Sequence, residues 1–239
     1  MNVSGLLTSL ALMSVLTHGF CSESPLSGIY IFADVGREHS KTTTKREQSN
    51  VKPIEFFVGE TKSYTDNRWF GGGGAGVSTV FNDIFYLAAE INVNGFNNIN
   101  NSKGIYLAKN SVDVLIKPGY VFPTNTAVYG QAGIGMNKIN YNSPTYQCGK
   151  ADGCGPNTFV FTTGVNKYVS QYLLGGGVRQ ALTESLSISI EAQYVKQSQY
   201  DTSGATFSPE NKIYNVHGTS VRTQSVQGLL KLNYIIGHG

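Results

Sequence analysis

Charge is scarce in this chain. Only 14% of its 239 residues are Asp, Glu, Lys or Arg, where soluble domains usually carry about a quarter. A surface wetted all round needs more than that, so the deficit argues for a surface that partly faces something other than water. The net charge of +3 is too small to imply a nucleic-acid partner, and no basic stripe with interleaved aromatics is present. Long apolar runs are also missing. After Ser22 no stretch reaches 18 apolar residues, which excludes a membrane-spanning helix in that part of the chain. Gly71 to Gly74 has no Gly-Lys-Ser/Thr behind it, so it is not a phosphate-binding loop. No serine-nucleophile motif occurs, and neither the composition nor any motif calls for a cofactor.

Met1 to about Ser22 reads as a secretory signal, with Leu6 to Leu16 as its apolar centre. That run is too short to cross a bilayer as a helix. The domain division expected is therefore a signal peptide over 1–22 and one β-barrel domain over 23–239. If the mature chain enters a membrane it does so as a closed barrel, because lipid leaves no backbone donor or acceptor unpaired.

Glycine (28), tyrosine (14) and phenylalanine (12) are plentiful, and the apolar residues alternate. In Leu186 to Tyr194, Leu186, Ile188, Ile190, Ala192 and Tyr194 share one side, and Ser187, Ser189, Glu191 and Gln193 the other. A period of two makes a strand and excludes an amphipathic helix. The same alternation recurs in Ser27–Gly36, Phe85–Asn94, Ser111–Phe122, Ala127–Tyr141, Tyr168–Ala181 and Thr219–Ile236, with a further segment at Trp69–Phe81. Two environments fit: a half-buried strand of a soluble sandwich, or a strand between lipid and a polar interior. The connections separate them. Asn82-Asp83-Ile84, Pro123-Thr124-Asn125 and Leu182 to Ser185 are tight turns. Arg37 to about Asn67, Gly95–Lys109, Asn142–Lys167 and Lys196–Gly218 are long and polar. Long connections at one end and short turns at the other, with an even number of strands of about ten residues, are the pattern of a transmembrane barrel. The expected fold is an all-β, closed, antiparallel up-and-down barrel of about eight strands. Pro118-Gly119 is expected to place a bulge or kink in its strand, and Ile54 to Val58 to extend a strand above the membrane.

Ser27-Gly-Ile-Tyr-Ile-Phe-Ala-Asp-Val-Gly36, Lys117-Pro-Gly-Tyr120 and Val128-Tyr-Gly-Gln-Ala-Gly133, in this order, resemble the small outer-membrane β-barrels of Gram-negative bacteria. So do Gly175-Gly-Gly-Val178, Ala181-Leu-Thr-Glu-Ser-Leu-Ser187 and the closing Gly228 to Tyr234. The family is that of the opacity-protein and outer-membrane-protein-A-like barrels. The chain departs from it at the end, where Ile235-Ile236-Gly237-His238-Gly239 follows the last aromatic, Tyr234. The resemblance implies an outer-membrane protein with extracellular loops, non-enzymatic, serving surface interaction, adhesion and envelope structure. It implies as partners outer-membrane lipid and lipopolysaccharide, host or envelope surface molecules, and the barrel assembly machinery. A narrow porin-like channel is the alternative, and a membrane-embedded lipid-modifying enzyme a third reading.

Alternation places Asp34, Glu90, Asp113, Lys117, Arg179, Glu191 and Lys231 on inward faces. Eight strands leave an interior about wide enough for side chains to fill, and buried charges must be paired. The expectation is an ionic cluster of Glu90 and Glu191 with Lys117 and Arg179, plugging the barrel or, on the sharper reading, gating a pore. Cys148 and Cys154 bracket Gly-Lys-Ala-Asp-Gly and suit a short disulfide in an oxidising compartment. No His lies in that loop and two ligands are too few for zinc. His39 and His217 fall in the first and last long connections, with Asp34 as a nearby carboxylate, an arrangement open to acid–base chemistry. The plainer reading is two solvated histidines. Lys41, Lys45, Arg46 and Lys52 form a basic stretch that could meet an anionic lipopolysaccharide or polysaccharide; the plainer reading is a solvated loop.

Overall fold

The computed structural model describes residues 24–47, 61–97, 107–141, 146–147, 159–162, 165–207 and 213–237. The signal segment, Ile54–Val58, Lys52, Cys148 and Cys154 lie outside them. Among the described residues the secondary structure is strand throughout. Eight long strands form the wall: β1 Gly28–Glu47, β2 Thr61–Phe81, β3 Phe85–Phe96, β4 Leu107–Phe122, β5 Thr126–Tyr141, β8 Val165–Ala181, β9 Leu186–Gln197 and β11 Ile213–Gly237. Three short ones, β6 Tyr146–Gln147, β7 Phe159–Thr162 and β10 Tyr200–Phe207, stand beyond the wall. Each wall strand pairs antiparallel with the next, and β1 pairs with β11, so the sheet shuts on itself.

The stagger of the ring follows from the pairing. Ile31 partners Ala75, and successive partners run through Ile91, Val114, Ile134, Tyr172, Lys196 and Gln224 to Lys41. One circuit thus returns to β1 ten residues further on, which is the tilt that closure of a strongly twisted sheet demands. All nine positions face outward or are half-exposed, so the inward and outward sets never exchange around the ring.

The outer face is apolar. Ile29, Ile31, Ile91, Val93, Val114, Ile116, Ile134, Leu174, Ile190, Leu230 and Leu232 are all exposed. Aromatics edge this belt, with Phe85, Tyr120, Phe122 and Tyr234 toward the turns and Trp69, Tyr168, Tyr172 and Tyr194 toward the other end. A belt of this kind would aggregate in water and is at rest in hydrocarbon. No helix among the described residues is long and apolar enough to cross a membrane; the strands do the crossing.

The tight turns are where the alternation stops. Asn82, Asp83 and Asn125 take positive φ values of 50°, 60° and 56°, a region that Asn and Asp tolerate better than other side chains. Two expectations need correcting. No bulge forms at Pro118-Gly119. The β4–β5 ladder skips Lys117 and Pro118 and resumes at Gly119↔Tyr129 in the register it had at Ile116↔Ala132. Pro118 lacks an N–H, so the ladder loses a rung without gaining a residue.

The second correction concerns the long polar connections, two of which are largely strand and a third of which carries short strands. The β1–β2 ladder continues to Lys45↔Thr61, so the stretch from Arg37 to Asn67 is mostly hairpin. β6 and β7 pair as Tyr146↔Val160, the same register as β5 with β8. β9 and β10 both run along β11, offset by one residue across Ser198-Gln199. Polarity hid these strands. Outside a bilayer an antiparallel ladder can be wet on both faces and needs no apolar alternation.

Candidate functional site

Small inward residues shape the lumen. On β2 the inward positions Gly72, Gly74 and Gly76 leave space for the rings of the neighbouring strand: a Cβ at Gly76 would stand 2.6 Å from Tyr30 Cζ, and one at Gly74 2.7 Å from Phe32 Cζ. On β8 a Cβ at Gly177 would lie 2.9 Å from Glu191 Cγ and 3.0 Å from the Tyr129 hydroxyl. The glycine-rich strands are thus the thin parts of the wall, against which large inward side chains lie.

Four charges meet in this space. Lys117 Nζ lies 2.6 Å from Glu90 Oε2 and 2.5 Å from Glu191 Oε1. Lys231 Nζ lies 2.9 Å from Glu90 Oε2 and 3.2 Å from Glu191 Oε2. Glu90 and Lys117 come from adjacent strands β3 and β4, and Glu191 and Lys231 from adjacent strands β9 and β11. The remaining two ion pairs therefore bridge the lumen from one wall to the other. The hydroxyls of Tyr30 and Tyr129 donate to Glu90 Oε1 at 2.8 Å and to Glu191 Oε1 at 2.7 Å. The ring of charges alternates in sign, is neutral in sum, and has its carboxylates further satisfied by phenols, as buried ions require.

Three of the four residues expected in the ionic cluster come together: Glu90, Lys117 and Glu191. Arg179 does not join them, and Lys231 takes its place. Arg179 and Lys231 both stand opposite Ser189, one on each side of β9. Arg179 turns away from the carboxylates. Its Nε donates to Ser187 Oγ at 2.8 Å, one of its terminal nitrogens to the Tyr86 hydroxyl at 3.1 Å, and its guanidinium lies 4.3 Å from the Tyr30 ring centre. A second buried pair, unforeseen in the sequence, is Glu38 with Arg68 at 2.7 Å, with Arg68 over the Phe96 ring at 4.5 Å. Glu38 fell in a stretch taken for a loop and Arg68 between that stretch and the next strand, and reading alternation through the polar residues of β1 and β2 would have found both partners.

Packing seals the layers on either side. Toward the turns lie Leu26, Val80, Tyr86, Ala88, Val121, Ala127 and Tyr129. Toward the other end, a chain of amides runs from Gln131 to Gln193 at 3.0 Å and on to Gln227 at 2.6 Å. Asp113 accepts from Gln171 at 2.5 Å and from Ser111 at 3.1 Å. Above these is an apolar cluster of Phe70, Phe96, Ile139, Val169, Tyr200, Val221 and Leu229. Lys231 is 0% exposed, Lys117 and Arg179 1%, Glu191 2% and Glu90 3%. An aqueous channel past these side chains would leave them wet.

The other candidate residues do not assemble. His39 points outward, its Nδ1 2.7 Å from Asn67 Oδ1, while Asp34 is buried on the inner face of the same strand. The wall stands between them, so they cannot share a proton. The backbone of His217 pairs with Gly204 in the β10–β11 ladder, whereas His39 partners Val226 further down β11. Lys41, Lys45 and Arg46 lie in β1, not in a loop, with Lys41 and Lys45 exposed. No group of His, Cys, Asp and Glu among the described residues could hold a metal ion.

Closed register, apolar belt and filled polar interior together define a small transmembrane β-barrel. No family model and no curated protein matches the sequence. Among solved structures the chain is similar to Neisserial surface protein A, with 15% identity and a TM-score of 0.42 over 84% of this chain and 96% of that one. It is similar to the outer membrane protein OprG of Pseudomonas aeruginosa, with 14% identity and a TM-score of 0.44 over 89% and 99%. It is also similar to the outer membrane protease OmpT of Escherichia coli, with 11% identity and a TM-score of 0.43 over 87% and 97%. The class rests on the chain's own geometry rather than on these likenesses.

Proposed function

We propose that the protein is a non-conducting, non-enzymatic outer-membrane barrel whose wall anchors the hairpins β1–β2, β5–β8 and β9–β11 outside the membrane for surface interaction, adhesion and envelope structure. The observation that carries this reading is the buried Glu90–Lys117–Glu191–Lys231 ring, closed above and below by packed side chains. A channel needs a continuous wet path, and the ring blocks it with two ion pairs that cross the lumen. An enzyme needs a reactive group beside an acid or base, and of the two histidines suggested for that role His39 lies on the opposite face of β1 from Asp34, which favours the non-enzymatic reading. What remains is the ladder that rises past the apolar belt and presents polar residues to the surroundings. Planar bilayers holding the refolded protein should stay silent. Steady, ohmic conductance that changes in Lys117→Ala would overturn the sealed-barrel reading. Whole cells displaying the protein should lose surface binding when the hairpin tip between Glu47 and Thr61 or that between Phe207 and Ile213 is replaced by a short turn. Binding unaffected by replacement of every such tip would remove the display role.

A further inference from the structure

Among the described residues, the cations of the outer wall are all at one rim. Lys41 on β1, Gln224 on β11 and Lys196 on β9 are successive partners across three adjacent strands. Arg222 is the next residue of β11 on the same face. All four are exposed. Neighbouring strands lie about 4.8 Å apart and alternate residues on one face about 7 Å apart, so the backbone sets Lys41 and Lys196 about 10 Å apart on either side of Gln224, with Arg222 about 7 Å along the strand. Arg222 Nε is oriented by Gln199 Oε1 at 2.6 Å. None of the three makes an ion pair with a carboxylate among the described residues; the acids nearest in the ladder, Asp66 and Asp201, partner the buried Ser40 and Ser220. One pleat toward the turns the same faces carry exposed Val226 and Tyr194, which partner each other. The patch therefore sits where apolar belt gives way to water. The opposite rim is different. Its outward faces end in Phe85, Tyr120, Phe122, Leu182, Tyr234 and Ile236, without Lys or Arg among the described residues, and its turns carry Asp83 and Glu184.

We infer that Lys41, Lys196 and Arg222, around Gln224, bind the phosphate of an anionic lipid headgroup whose acyl chains lie on Val226 and Tyr194. A phosphate supplies the charge and acceptors that three unpaired cations and an amide lack. The adjoining apolar surface selects a lipid over a soluble anion. The one-sided placement directs the site to a single leaflet. The inference rests on the barrel being membrane-embedded. Its test starts with insertion into phosphatidylcholine vesicles, followed by the mobility difference between heated and unheated protein in gels. Failure to insert would overturn both readings, and insertion isolates the second. Native mass spectrometry of folded protein then compares retained phosphatidylglycerol with phosphatidylcholine of the same chains. The wild type should favour phosphatidylglycerol by at least tenfold. The preference should fall about fivefold for each cation removed in Lys41→Gln, Lys196→Gln and Arg222→Gln and vanish in the triple variant. Lys138→Gln, which removes an outward lysine from over Tyr168 on β5 and β8, should keep it. A triple variant that retains the preference, or pyrophosphate in solution displacing the lipid at equal concentration, would overturn the lipid site.

Discussion

Lys231→Met tests the ring of charges most directly. The lysine bonds both Glu90 and Glu191, and methionine keeps its length without its charge. Two carboxylates would then share Lys117 alone, leaving an uncompensated negative charge in a space that solvent does not reach. Removing one partner of a buried ion pair typically costs about 3–5 kcal/mol, mostly from the charge left behind, and the cost here should fall in that range. The companion variant Lys231→Met/Glu191→Gln restores neutrality and should recover about 1–3 kcal/mol relative to additivity. Urea titration of the barrel in phosphatidylcholine vesicles measures both. The lone tryptophan, Trp69, is exposed on the outer wall with the Arg37 guanidinium 5.9 Å from its ring, so its emission follows the loss of the lipid-facing environment. An unshifted midpoint in Lys231→Met, or a double variant no better than the sum of its parts, would refute the account of the ring as a set of interdependent buried charges. Replacing all four residues by apolar ones is a different experiment and can be neutral, because it removes the desolvation cost along with the attraction.

The outer wall makes its own prediction: Ile190→Lys, at a position 66% exposed in the belt, should lower stability in vesicles by about 2–4 kcal/mol, and an equal-stability variant would place the belt outside lipid. Gly76→Val should cost at least about 1–3 kcal/mol by driving a side chain into the Tyr30 ring, while Gly228→Ala, with nothing within 4 Å of its Cβ, should stay within about 0.5 kcal/mol of wild type; equal effects in the same titration would contradict the packing described. Cys148 and Cys154 should resist alkylation until reductant is added, and mass spectrometry showing both thiols modified in native protein would reject the bridge.

Alternation made the wall strands legible because a barrel asks one thing of each strand, lipid on one side and polar groups on the other. It also placed Glu90, Lys117, Glu191 and Lys231 inside. What it could not decide was which long cation reaches the carboxylates. Arg179 and Lys231 occupy equivalent positions beside Ser189, and the choice lies in the aromatic neighbours, with Tyr30 and Tyr86 drawing the guanidinium toward the turns. Glu38 and Arg68 escaped notice for a related reason. Polar residues such as Ser40, Thr42 and Thr223 occupy inward positions above the belt, where Thr42 and Thr223 hydroxyls meet at 3.1 Å, so alternation there is one of polar against polar. Strand was read as loop wherever hydropathy carried no contrast.

The seam between β1 and β11 ties the fold to the order of synthesis. Its partners are separated by nearly the whole chain, from Ile31↔Tyr234 to Glu47↔Gly218, so the ring cannot shut until the final wall strand has been made. Until then β1 presents an open edge, and greasy side chains have no bilayer to enter. Contacts so distant in sequence form slowly, and open edges recruit other chains. The last wall strand to be made is therefore the one whose pairing both shuts the ring and covers the edge of the first.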